Sequence, residues 1–178
     1  MKCFPMMVPL EGRRVLLVGG GKVALRKAER LKEFGARLDV CAPVVLPALA
    51  ALAQEKHAAY GRELLRDAVF VVAATDDAAM NARVAHDCRV AGIPVNSVDA
   101  PADCDFYFPA AVMRGDISVG ISTGGASPAL AAALRKYLER VLPPDLAQIC
   151  ALAEQLRGTM SAEEYVKKVE TMLEDAVK

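Results

Sequence analysis

At 178 residues, 54% of them apolar, the chain is long enough to fill one ordinary core and too apolar for disorder to be its default. Lys plus Arg and Asp plus Glu number 22 each, which excludes a global basic field for nucleic acid and an acidic tail, so any anionic ligand must be gathered locally. The five cysteines, Cys3, Cys41, Cys88, Cys104 and Cys150, are scattered without a Cys-x-x-Cys pair, which argues against a disulfide framework or a zinc site and reads as packing in a reducing cytosol.

In chain order, Pro5, Pro9 and Glu11 cut the first apolar run short of a signal-peptide core, and no later run reaches membrane-spanning length. A soluble cytoplasmic protein with neither membrane nor nucleic-acid partners is expected. The β-formers Val15 to Val18 then run into Gly19-Gly20-Gly21 and a helical pattern from Val23 to Phe34, the strand, tight turn and helix of a Rossmann-type dinucleotide-binding unit. Gly19 would permit the sharp turn, Gly21 would let a pyrophosphate approach the backbone, and Ala24 would let the helix pack closely. Free N–H groups of the first turn, around Lys22 and Val23, would face the phosphates. Alone, such a turn belongs equally to an unrelated α/β domain. Val23, Leu31 and Phe34 are expected on the buried side of the helix.

Leu38 to Ala42 reads as a second strand, but the acid that usually ends it to hold the ribose is replaced by Ala42, leaving backbone groups around Pro43 and Val44 for that task. Leu46 to Glu55 reads as a helix, Ala58 to Tyr60 as a weak strand, and Val69 to Ala74 as a strand buried on both faces. Thr75-Asp76-Asp77, beyond its carboxyl end, stands where a ligand crevice is expected and equally where the helix from Ala78 to Val90 needs a cap. His57 and His86 are solitary and predict no metal site. A fifth strand follows from Ile93 to Asp99. The pattern then changes to short strands at Phe106–Pro109, Ala110–Arg114 and Ile117–Ile121, the last two turned at Gly115-Asp116, and to a helix opened by Ser127 and Pro128 and closed by Pro143-Pro144. From Asp145 the chain reads helical, with Ser161 and Glu164 forming a capping box for a last helix striped with Val166, Val169, Met172, Leu173 and Val177.

These pieces carry a resemblance. Phe4-Pro5, the run Val18 to Ala24 with Arg26-Lys27, Ala73 to Asp77 with Asn81, Asn96 to Pro101, Phe106, Pro109 and Ser122 to Pro128 together resemble the precorrin-2 dehydrogenase family, including the N-terminal module of siroheme synthases. The resemblance implies NAD-dependent oxidation of precorrin-2 to sirohydrochlorin, with ferrochelation as a second activity in some members. It implies an NAD-binding domain over residues 1–98, a central dimerisation region over 99–143, a helical C-terminal domain over 144–178, and a homodimer. Cofactor contacts would come from Gly19, Gly21, Lys22, Val23, Pro43, Val44, Thr75 and Asp76. Asp99 matches the family's catalytic aspartate; read from the residues alone it serves equally as a turn cap before Pro101. Substrate contacts are expected at Asn96, Ser122 and Thr123. Arg114, Arg135 and Lys136 are candidates for holding the acid side chains of the tetrapyrrole, against ordinary solvated charge.

Two features depart from the pattern. Thr123 stands where siroheme synthases carry a phosphorylatable serine, and the chain has no room for a methyltransferase half. The sequence shows no stable iron site. A reading from another class is a non-catalytic NAD sensor whose helical tail binds a partner.

Overall fold

The computed structural model describes residues 2–98 and 100–177. Two compact units divide the chain, residues 7–107 and residues 108–178 together with the first six.

The 7–107 unit is built on five parallel strands, β1 (Arg14–Val18), β2 (Arg37–Cys41), β3 (Glu55–His57), β4 (Val71–Ala73) and β5 (Val95–Ser97), ordered β3-β2-β1-β4-β5. Three helices connect them, α1 (Lys22–Lys32), α2 (Pro47–Leu52) and α3 (Ala78–Ala91). Register pairs Val18 with both Cys41 and Ala73, so β1, β2 and β4 end level with one another. Alternation along the strands sorts the side chains between the two faces. Leu16, Val18, Cys41, Val71, Ala73 and Val95 pack with Val84, Ala85 and Cys88 of α3 on one face. Val15, Leu17, Leu38, Val40 and Val72 are also fully buried, which explains why β1 reads as an unbroken apolar run.

Several sequence expectations are corrected. The face that α1 buries is Ala24, Ala28 and Leu31, while Val23 is exposed, because small residues bring the helix closer to the sheet than a branched one allows. β3 lies at Glu55–His57, earlier than expected, where its backbone pairs with Asp39 to Cys41. Phe106 to Pro109 is not a strand: Phe106 packs its ring on Phe70 at 4.7 Å, and Tyr107 donates its hydroxyl to the Pro101 carbonyl. β5 stops at Ser97, where the chain turns at Val98. Of the cysteines, Cys41 and Cys88 are buried packing residues, with burial pushing the Cys88 thiol up to about 12, but Cys3 and Cys150 are exposed.

In the second unit, β6 (Ala110–Arg114) and β7 (Ile117–Ile121) form an antiparallel pair turned at Gly115 and Asp116. Three helices follow, α4 (Pro128–Val141), α5 (Leu146–Leu156) and α6 (Ala162–Val177). Ser127 caps α4 by accepting from the Leu130 N–H at 3.1 Å. Ser161 and Glu164 bond reciprocally at the start of α6. These hydrogen bonds hold the Glu164 carboxyl below its usual range. No residue of α4 or α6 is buried. Among the described residues no helix is long and apolar enough to cross a membrane.

Candidate cofactor and substrate site

Parallel strands that end level create a crevice at their carboxyl edge, and the glycine turn sits there. Gly19 has a φ of +134°, its N–H donates to the Cys41 carbonyl at 2.9 Å, and a Cβ at this position would collide with the Ala74 carbonyl. Gly20, which the sequence did not single out, is equally constrained: a Cβ there would strike the Val44 carbonyl. Its own carbonyl accepts from the Leu46 N–H at 3.0 Å, tying the loop containing Pro43 and Val44 to the turn. The side chains of Pro43 and Val44 stay exposed.

Gly21 differs from both. It is the N-cap of α1 in extended backbone, offers no side-chain oxygen to the first turn, and has nothing within 4 Å of where a Cβ would stand. No acid lies in that turn, whose first residues are Lys22 and Val23. By contrast, Asp77 caps α3 by accepting from the Ala79 and Met80 N–H groups at 2.8 and 3.1 Å. Two helix starts therefore meet the same need for acceptors in different ways. α3 carries its own acceptor, while α1 presents bare N–H groups to open space, which fits a dinucleotide pyrophosphate.

The Thr75-Asp76-Asp77 segment divides between the two roles it could have. Asp77 is the cap. Thr75 is held by Asn81, receiving a bond to its carbonyl from Nδ2 and donating its hydroxyl to Oδ1 at 2.8 Å. Asp76 is exposed and lines a cavity of about 160 Å³ with Thr75, Asn81, Val98, Ala100 and Asp103.

A second cavity, of about 250 Å³, is lined by Val23 and Lys27 of α1, by Asn96, Ser97 and Val98 at the end of β5, and by Pro101, Cys104 and Tyr107. Asn96 is buried and donates through Nδ2 to the Phe106 carbonyl at 2.9 Å. Cys104 Sγ accepts from the Ser97 N–H at 3.3 Å. These bonds fold the segment after β5 back over its end. Lys27, half-buried, was not picked out as a site residue; burial lowers its pKa, with the Cys104 thiol opposing and the charge of Arg26 assisting. No motif marked it, because only the fold brings α1 opposite β5.

Asp99, the candidate catalytic residue, lies outside the described residues. Its neighbour Val98 lines both cavities and Ala100 lines the smaller. Asp105, a few residues on, is structural: its Oδ2 accepts from the Val95 N–H at 2.9 Å. Asp103 pairs with Arg89 at 3.3 Å.

The remaining substrate candidates lie in the 108–178 unit. Arg114 donates to the Glu139 carbonyl at 2.8 Å, and Arg135 is paired with the Glu139 carboxylate, so both guanidinium groups have partners within the unit. Lys136 is exposed. Ser122 Oγ accepts from the Gly124 N–H, while the Thr123 hydroxyl donates to the Ser127 carbonyl at 3.1 Å and accepts its N–H, bracing the turn before α4.

His57 is not solitary as the sequence suggested. Strand pairing sets it beside Asp39 and Glu55, with one ligand-type atom of each within 4.8 Å of the others. Asp39, however, is bound by the Arg14 Nε at 2.5 Å, and that guanidinium also donates to the Leu64 and Arg66 carbonyls. Its carboxylate serves to join β1, β2 and the segment after β3.

With the crevice described, the comparisons bear directly on it. A family model described as putative NAD(P)-binding matches residues 6–110. The chain belongs to this NAD(P)-binding family. Its cofactor is accordingly a nicotinamide dinucleotide. A second model, for the central part of sirohaem biosynthesis proteins, matches residues 114–140. The chain is 42% identical over 167 residues to a siroheme synthase of Psychrobacter cryohalolentis and 41% identical over 167 residues to one of Stutzerimonas stutzeri, covering 91% of this chain in each case. It spans 32% and 36% of those proteins' lengths, about a third. Among solved structures it is similar to a precorrin-2 dehydrogenase, SirC, at 27% identity and a TM-score of 0.71, covering 96% of this chain and 89% of that one. The resemblance drawn from the motifs is thus borne out, and so is the Rossmann-type sheet followed by an antiparallel pair and C-terminal helices.

Proposed function

We propose that this chain is an NAD-dependent precorrin-2 dehydrogenase, oxidising precorrin-2 to sirohydrochlorin in the cytoplasm. The observation that carries this reading is the likeness to a precorrin-2 dehydrogenase over nearly the whole of both chains. That likeness includes the 108–178 unit, which dinucleotide binding alone does not require. The cofactor, when bound, supplies the hydride acceptor. The protein's own share is binding, orientation and proton handling.

In this reading the N–H groups at the start of α1 hold the pyrophosphate, with Gly19 and Gly20 keeping the turn tight enough to bring them there. Thr75 and Asp76 border the path at the end of β4. Backbone groups around Pro43 and Val44 hold the adenosine ribose, and the family likeness favours NAD over NADP. Asp99 takes the proton lost as the macrocycle is oxidised, or orients the substrate through a pyrrole N–H. General-base help of this kind is typically worth about 10²–10⁴-fold in rate. Asn96, whose amide holds the Phe106 carbonyl, stays as a substrate candidate at the end of β5. Ser122, Thr123, Arg114, Arg135 and Lys136 stay as substrate candidates on the second unit.

The chain acts as a homodimer in this proposal. The support is α4, where Leu130, Leu134, Tyr137 and Val141 recur at helical spacing and remain 52%, 40%, 53% and 45% exposed.

The test is turnover. With precorrin-2 and NAD⁺ the protein should generate NADH and sirohydrochlorin in equal amounts, at a higher specificity constant than with NADP⁺. Cofactor binding with no absorbance change would instead establish a sensor. Asp99→Ala should abolish turnover while cofactor affinity stays, and Asp103→Ala is the matched control because Asp105→Ala would remove the acceptor for the Val95 N–H.

A further inference from the structure

Register decides the chemistry at the β3 edge of the sheet. Asp39 pairs with Glu55 and Cys41 with His57 in the β2–β3 ladder, and alternation turns Asp39, Glu55 and His57 to the same face. The three side chains are served unequally. Asp39 is buried and its Oδ2 accepts from Arg14 Nε, while Glu55 is exposed with its Oε2 3.7 Å from His57 Nε2. That imidazole nitrogen is enclosed and has no hydrogen-bond partner among the described residues. Enclosed polar atoms left in this state are rare enough to need a reason.

The distances point to an ion. At 3.7 Å the histidine nitrogen and the glutamate oxygen are too far apart for a hydrogen bond, yet close enough to share one cation held about 2.0–2.2 Å from each. A carboxylate oxygen of Asp39 completes the set, the three ligand-type atoms lying within 4.8 Å of one another. Small rotations of Glu55 and His57, the two less buried members, would close them onto one centre. Arg14 does not disqualify the aspartate. A carboxylate offers two oxygens, and those that ligate metals are themselves hydrogen-bonded from behind, the role Arg14 fills here. Its guanidinium is also engaged by the Leu64 and Arg66 carbonyls. Donor type then narrows the metal. An imidazole beside carboxylates suits a borderline ion such as zinc, whereas magnesium and calcium favour oxygen alone.

We propose that Asp39, Glu55 and His57 bind a zinc-class divalent cation that ties the three-residue edge strand β3 to β2. The site shares no residue with the glycine turn or with either cavity, and it stands independently of the dehydrogenase reading. Its reach is local. The His57 carbonyl accepts from the Ala42 N–H at 2.9 Å, so the ion braces the start of the loop that carries Pro43 and Val44.

The experiment titrates Zn²⁺ alone into the chelator-treated full chain by calorimetry and follows thermal unfolding with and without the metal. The wild type should take up one equivalent at this site with a Kd of about 10 µM or tighter, and its melting temperature should rise. His57→Gln should weaken that binding about a hundredfold or more and remove the thermal shift, and Glu55→Gln should weaken it about tenfold or more. His86→Gln, the control at the other histidine, should change it less than about twofold. Glu55→Gln alters an exposed side chain and decides the matter alone should the His57 variant not fold. A wild type with no saturable Zn²⁺ binding would overturn the site. So would binding that survives both substitutions unchanged, as zinc held by the exposed thiols of Cys3 or Cys150 would, and an equal response to Mg²⁺ would overturn the zinc-class assignment.

Discussion

The helices α1 and α4 are both amphipathic, and they end up differently. α1 buries Ala24, Ala28 and Leu31 against the parallel sheet, in a unit whose strands are closed on both faces. α4 buries none of its residues and leaves a spaced row of leucine, tyrosine and valine in water. The sheet of the 7–107 unit therefore closes a core of its own, although Val44 and Val90 stay exposed, while the 108–178 unit leaves a spaced apolar row uncovered on α4. A hydrophobic stripe that the chain does not cover has a cost in water, and that cost is recovered only when something covers it. In the homodimer proposed above, α4 is the face that a second copy would cover, while the glycine turn lies in the other unit.

The sharpest division should come from Gly21→Asp. Aspartate is a favoured N-cap and a Cβ there meets no neighbour, so thermal stability should hold or rise, whereas NAD⁺ affinity should fall by about a hundredfold or more as a carboxylate faces the pyrophosphate. Retained affinity in this variant would show that the turn is only architectural. Core truncation comes next. Leu17→Ala should cost about 2–5 kcal/mol of stability by equilibrium denaturation. Leu134→Ala should cost less than about 0.5 kcal/mol within one chain, and its melting shift should grow with protein concentration. Equal costs at both positions would erase the contrast between the units.

Tyr137→Asp tests the same contrast through assembly. Sedimentation should show self-association weakened about tenfold or more, with NAD⁺ affinity within about twofold of wild type. An unchanged mass would detach α4 from the dimer. The smallest effect lies at the start of α6. Because hydrogen bonds from Ser161 hold the Glu164 carboxyl below its usual range, this cap contributes above the unfolded-state glutamate pKa and is lost as pH falls through the depressed folded value. In a carboxyl titration followed by NMR, Ser161→Ala should raise the Glu164 midpoint toward the ordinary range without affecting cofactor binding.

Much of this was legible in the residues because the signals were local. Four apolar β-formers running into three glycines specify strand, turn and helix start. Gly115 and Asp116 between two apolar runs specify a hairpin, and Ser127-Pro128 a helix start, since each depends on φ preferences and capping within a few residues. The site's chemistry was less legible. Whether Asp77 caps or binds could not be separated by spacing, because both roles use a carboxylate just after a strand; the two hydrogen bonds to α3 assign it.

Other features depended on contacts between segments far apart in the chain. Gly20 is required by Val44, His57 gains its neighbours through the register of β2 and β3, and Lys27 meets Asn96 and Ser97 about seventy residues away across the cavity. Sequence by itself determined the order of elements, the glycine turn and the family they resemble, because these follow from backbone preferences and periodicity. Only the tertiary structure decided which side chains share a cavity, which charges are already paired and which apolar faces stay bare, because burial and pairing depend on where distant parts of the chain meet.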